Sequence, residues 1–159
     1  MEFHYRKPTR LREFDYSQNG YYFITICTKN KKCILSQIVG EGLCALPSII
    51  LTAIGEKVYD AIKYINENYN GVKVDKYIIM PNHIHLIISN QTGGDGTPPL
   101  QVYDIIGRLK SFTTKQYGDI LWQRSFHDHI IRGEKDYFEI WNYIDTNAQK
   151  WKEDCFYKK

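Results

Sequence analysis

Paired cysteines, long apolar runs and a charge excess of either sign are all missing from this chain. Its four cysteines, Cys27, Cys33, Cys44 and Cys155, form no CxxC pair, which argues against a structural zinc site and a disulfide framework. That usage fits a reducing compartment, and a cytoplasmic protein is the expectation. No stretch approaches the roughly 20 apolar residues of a membrane helix. The opening run MEFHYRKPTRLREF lacks the apolar centre of a secretory signal, so no membrane partner is expected. The net charge is only +3, which permits a nucleic-acid partner without demanding one.

Aromatic residues are what the chain has in excess, at 14% with 13 tyrosines. They suit strands, and they suit surfaces on which bases stack. The 159 residues, 43% hydrophobic and 25% charged, fit one soluble domain spanning 1–159. Residues 1–19 read as a basic N-terminal arm, with Arg6, Lys7, Arg10 and Arg12 set against Glu2, Glu13 and Asp15.

Residues 21–28 (YYFITICT) predict a first strand. A short hairpin strand is expected at 33–37. Pro47-Ser48 opens a predicted helix that runs to about residue 66, with Ile50, Ile54, Val58, Ala61, Ile62 and Ile65 as its buried stripe. Residues 72–80 and 83–89 predict two strands around a tight turn. The Gly- and Pro-rich run 90–99 is a loop. Helical spacing returns over 100–117, a short strand is expected at 126–132, and a last helix runs from 134 to 147 or beyond. Its stripe is Tyr137, Ile140, Trp141, Ile144, Ala148 and Trp151. The order predicts an α+β, ferredoxin-like antiparallel sheet with helices on one face and the 83–89 strand central.

That strand carries the most informative residues, His83 and His85 in YIIMPNHIHLIIS. On a strand, i and i+2 point to the same face. Two neutral imidazoles on one side suit a divalent metal. Spacing alone leaves open the alternative that they hydrogen-bond neighbours. An ordinary histidine pair would release its ion as pH falls through about 6.5.

On the last helix, at 100° per residue, Tyr143 and Asn147 fall on the flank of the apolar stripe. They are i and i+4 and therefore neighbours, at the boundary of the core. A half-buried structural tyrosine has the same pattern.

Three separated motifs then carry a resemblance: YIIMPNHIHLII, GRLKSFTTKQY, and WQRSFHDHIIRGEKDYFEIWNYIDTNAQKW. In this order they resemble the REP-associated tyrosine transposases, within the single-tyrosine HUH transposases of bacterial insertion sequences. The likeness runs from about Tyr21 to Trp151. It implies an HUH-type nuclease fold and metal-dependent cleavage and transfer of single-stranded DNA beside hairpins. His83 and His85 match the metal ligands, Tyr143 the nucleophile, and Asn147 the position that supplies a third ligand. The implied ion is Mg²⁺ or Mn²⁺, the implied partner single-stranded or hairpin DNA, and a homodimer is the implied assembly. Family members commonly carry Asn-Pro where this chain has Asn147-Ala148.

Such chemistry needs a nucleophile in line with the leaving oxygen and positive charge on the non-bridging oxygens. Arg108, Lys110, Lys115, Arg124 and Arg132 are candidates for phosphate contacts. His127 and His129 are a second i, i+2 pair, for which a structural or DNA-contact role is expected rather than metal ligation. A histidine-triad hydrolase needs HxHxH, and Ile87 occupies the third position. A 2H phosphodiesterase needs two HxT/S motifs, and His85 is followed by Leu86-Ile87. The runner-up is a domesticated hairpin-DNA-binding protein without mobilising activity.

Overall fold

The computed structural model describes residues 14–40, 46–96 and 98–157. The basic arm's Arg6, Lys7, Arg10 and Arg12 lie outside the described residues. Its elements are β1 (Gly20–Cys27), β2 (Ser36–Val39), β3 (Ser48–Leu51), α1 (Ala53–Asn68), β4 (Val72–Ile79), β5 (His83–Asn90), α2 (Val102–Tyr117), β6 (His127–Ile131) and α3 (Glu134–Thr146). Four strands form one antiparallel sheet in the order β4-β5-β1-β6, while β2 and β3 make a separate hairpin. This is the expected α+β, ferredoxin-like sheet, and the histidine strand β5 is central in it.

Alternation within β1 and β5 builds two cores. Tyr22, Ile24 and Ile26 of β1 and Ile84, Leu86 and Ile88 of β5 pack on Val58, Ile62 and Ile65 of α1 and on Ile105, Ile106 and Leu109 of α2. Each such buried side chain contributes about 1.5–3 kcal/mol. On the other face, Phe23, Ile87 and Ile131 pack against Tyr137, Ile140, Trp141 and Ile144 of α3. The expectation of helices on one face therefore holds for α1 and α2, while α3 covers the opposite face. The cause is legible in β5, which is buried at every position from His83 to Ile88. A strand buried on both sides needs a layer on each.

The α1 start also differs from the sequence reading. Ser48–Leu51 pairs with β2, from Ser36↔Leu51 to Val39↔Ser48, and the helix begins at Ala53. Thr52 is the N-cap, with Oγ1 accepting from the Gly55 N–H at 3.1 Å. Such a cap contributes about 1 kcal/mol, and Ser48, inside an Ile-Ile-Leu run suited to a strand, has no equivalent role. Gly55 is required here because a Cβ would lie 2.0 Å from the Leu35 carbonyl oxygen.

On its outer side α3 is held to β4. Lys76 pairs with Asp145 and lies 4.7 Å from the Trp141 ring centre. The Tyr137 hydroxyl donates to Asp75 Oδ2 at 3.2 Å. These ties hold the helix against the sheet at both its N-terminal half, through Tyr137, and its C-terminal half, through Asp145.

Candidate metal centre and nucleophile

The tight turn between β4 and β5 orients the first histidine. Asn82 is fully buried, and its Nδ2 donates to the carbonyls of Phe156 at 2.7 Å and Lys31 at 3.3 Å. Its Oδ1 is thereby turned toward His83 Nδ1, 2.9 Å away. A carboxamide oxygen only accepts, so Nδ1 carries the proton and Nε2 keeps its lone pair. That Nε2 is buried and has no hydrogen-bond partner.

His85 is built the same way from the neighbouring strand. Thr25 of β1 sits opposite it in register, with Oγ1 2.8 Å from His85 Nδ1. The tautomer in which Nδ1–H donates to Thr25 leaves Nε2 as a lone pair. Outer partners of this kind fix ring orientation and raise the basicity of metal-ligating histidines. The two rings stand edge to face with centroids 4.6 Å apart.

Both histidines face α3. Tyr143 places its hydroxyl 3.5 Å from His85 Nε2 and its ring 5.2 Å from that of His85. One turn on, Asn147 is 3% exposed, and its Oδ1 has no partner. The chain then turns back, and Asp154 brings Oδ2 to 3.9 Å from His83 Nε2. Ligand atoms of His83, His85 and Asp154 all lie within 4.8 Å of one another. Two imidazole nitrogens, a carboxylate and an orphaned carboxamide oxygen fit a divalent cation by donor type. The unpartnered Nε2 and Oδ1 are buried polar atoms that such an ion would satisfy.

Burial dominates the electrostatics. It pushes His83 and His85 down to about 3, so both rings stay neutral ligands well below pH 6.5. Tyr143 is raised above its ordinary value, first by burial and then by the Asp154 carboxylate. A cation at this spot would offset both effects on the phenol. Phe156 closes the outer side, its ring 4.5 Å from that of His83.

The structure thus brings His83, His85, Tyr143 and Asn147 to one place. Asp154, Thr25 and Asn82 join them without having been singled out in the sequence. Of these only Asn82 had a signal, as a turn residue beside the histidines. Arg108 and Lys115 lie on α2, across the sheet from the histidines, and Arg108 donates to the Tyr69 hydroxyl at 3.2 Å. The Lys110 ammonium donates to the carbonyls of Gln123 at 2.6 Å and Arg124 at 3.0 Å, bracing the approach to β6. Arg124 and Arg132 are exposed at the two ends of β6. No helix among the described residues is long and apolar enough to cross a membrane.

No protein-family model matches the chain. A Haemophilus influenzae protein, itself uncharacterised, is 33% identical over 97% of this chain and 94% of its own length. Among solved structures, a REP-associated tyrosine transposase bound to a REP hairpin matches with a TM-score of 0.65 and 22% identity, over 89% of this chain and 73% of that one. The chain belongs to one family with the Haemophilus influenzae protein, and its fold is the HUH transposase fold of the REP-associated tyrosine transposase.

Proposed function

We propose that this chain is a metal-dependent transposase and nuclease that cuts and transfers single-stranded DNA beside hairpins through a 5′-phosphotyrosine on Tyr143. The observation that carries the reading is a phenol hydroxyl 3.5 Å from a buried imidazole, beside two ligand atoms that have no partner. The hairpin held by the structural neighbour supports the choice of substrate. His83, His85 and Asn147 would hold Mg²⁺ or Mn²⁺, with Asp154 as a further ligand. When bound, the cation draws charge from the non-bridging oxygens of the scissile phosphate.

The residues of the chain supply the rest. Asn82 keeps His83 in the ligating tautomer, and Thr25 holds the His85 ring in place. Tyr143, fixed by α3 over β5, presents its oxygen to phosphorus. The tyrosine oxygen–phosphorus bond forms as the bond to the 3′-oxygen breaks. The phenol proton departs, and the upstream strand ends as a free 3′-hydroxyl. A 3′-hydroxyl from a second strand reverses the step without ATP, because the covalent link conserves the phosphodiester. Assembly as a homodimer belongs to the same reading and is measured by light scattering.

The test is a denaturing gel of a 3′-end-labelled hairpin oligonucleotide incubated with the protein. Label migrating with the protein in Mn²⁺ or Mg²⁺, and none in EDTA, is the expected result. Absence of both cleavage and adduct with either ion would contradict the proposal.

A further inference from the structure

The second histidine pair lies on the same sheet face as the first. Register sets His127 of β6 opposite Thr25 of β1, and Thr25 opposite His85 of β5. Directly paired residues share a face, so His85, Thr25 and His127 form one row across three strands, on the side that carries Tyr143. At a strand spacing of ~4.8 Å, the His85 and His127 backbones stand about 10 Å apart. The next row is Ile87, Phe23 and His129.

The two β6 histidines differ in their partners. His129 Nε2 lies 2.8 Å from Asp136 Oδ2, which also accepts the Arg132 N–H at 3.0 Å. That histidine ties β6 to the first turn of α3. The His127 side chain is exposed and makes no hydrogen bond or ion pair with any described residue. It stands on the outer strand of the sheet, with exposed Arg124 just before the strand and exposed Arg132 just after it. Tyr143, 42% exposed, lies against His85 of β5 and Phe23 of β1, while Asp145, two residues on, is tied to Lys76 of β4.

We propose that His127 binds the phosphate next to the one attacked by Tyr143, on an unpaired strand that enters across the β6 edge. This rests on the function proposed above. A gap of about 10 Å between His85 and His127 along that row is too wide for His127 to share the scissile phosphate closely, and it suits the next one along an extended strand. An imidazole N–H to a phosphate oxygen is a charge-assisted hydrogen bond. His129, held by Asp136, takes no part in the contact and keeps the edge strand in place.

Two measurements in EDTA test this without cleavage. One is anisotropy of a labelled unpaired oligonucleotide across a salt series. The other is an imidazole ¹H–¹⁵N spectrum during titration with a trinucleotide. His127→Ala should lower affinity five-fold or more and flatten the slope of log K against log[salt] by about 0.7, the share of one phosphate on a single strand. His127→Gln, which keeps a donor, should recover most of the affinity, and the His127 resonances of the parent should shift. Equal affinity and slope for His127→Ala, or unmoved His127 resonances while the parent binds, would overturn the assignment and leave the proposed function standing. A parent that binds no unpaired strand at all would overturn both.

Discussion

Two buried neutral histidines in one site make stability without metal fall steeply with acid. Burial lowers His83 and His85 from 6.5 to about 3, so between those values the unfolded chain binds more protons than the folded one. The contribution of each ring is complete above pH 6.5 and is lost as pH falls from there toward 3. Each contributes a slope of about 1.4 kcal/mol per pH unit below the unfolded value. From pH 6.5 to 5 the pair together removes on the order of 3 kcal/mol, a large part of the 5–15 kcal/mol typical of a domain. The assay is urea unfolding in EDTA at pH 7.5, 6.5, 5.5 and 5, for the parent and for a His83→Asn, His85→Gln double variant. Because the variant lacks both titrating rings, the difference between the two curves isolates the pair. A difference that stays flat across this range would refute the assignment of both rings as buried and neutral.

The same burial changes the expected behaviour toward metal. Mn²⁺ affinity of the folded parent, measured by calorimetry, should hold within a few-fold between pH 7.5 and 5.5, whereas a pair of ordinary histidines would lose the ion through about 6.5. A ten-fold or greater drop over that interval would mean the rings titrate as if solvated. Asn82→Ala removes the oxygen that fixes the His83 tautomer and the amide that satisfies the Phe156 carbonyl. It should cost about 1–3 kcal/mol of stability and roughly 10–100-fold in Mn²⁺ affinity, read by urea unfolding and calorimetry; an unchanged affinity would show that this outer contact does not matter.

The parts of this site that were legible in the sequence are those set by local periodicity. His83 and His85 share a face because a strand alternates, and Tyr143 with Asn147 because a helix advances 100° per residue. What depended on the path of the chain was not legible. Asp154 reaches His83 only because residues after α3 turn back across the sheet, and its neighbours Glu153 and Cys155 carry no spacing signal. Thr25 became a partner of His85 through the β1–β5 register, which no local pattern encodes. The direction of Arg108 and Lys115 followed from the layer in which α2 packs, so basic residues flanking an apolar stripe could not be assigned to a sheet face. Ile49, Ile50 and Leu51 satisfy a helical stripe and a strand equally well, and pairing with β2 decided between them.

The central claim is that Tyr143, among 13 tyrosines, is the nucleophile at this centre. Its most direct test is peptide mapping by mass spectrometry of the covalent protein–oligonucleotide adduct, with Tyr143→Phe and Tyr137→Phe run alongside. Tyr137 is the control on the same helix, its hydroxyl bound to Asp75 and raised to about 12, mainly by burial. The account predicts an adduct on the Tyr143 peptide, its loss in Tyr143→Phe with folding and DNA binding kept, and its persistence in Tyr137→Phe. An adduct on Tyr137 or Tyr117, or one that survives Tyr143→Phe, would contradict it.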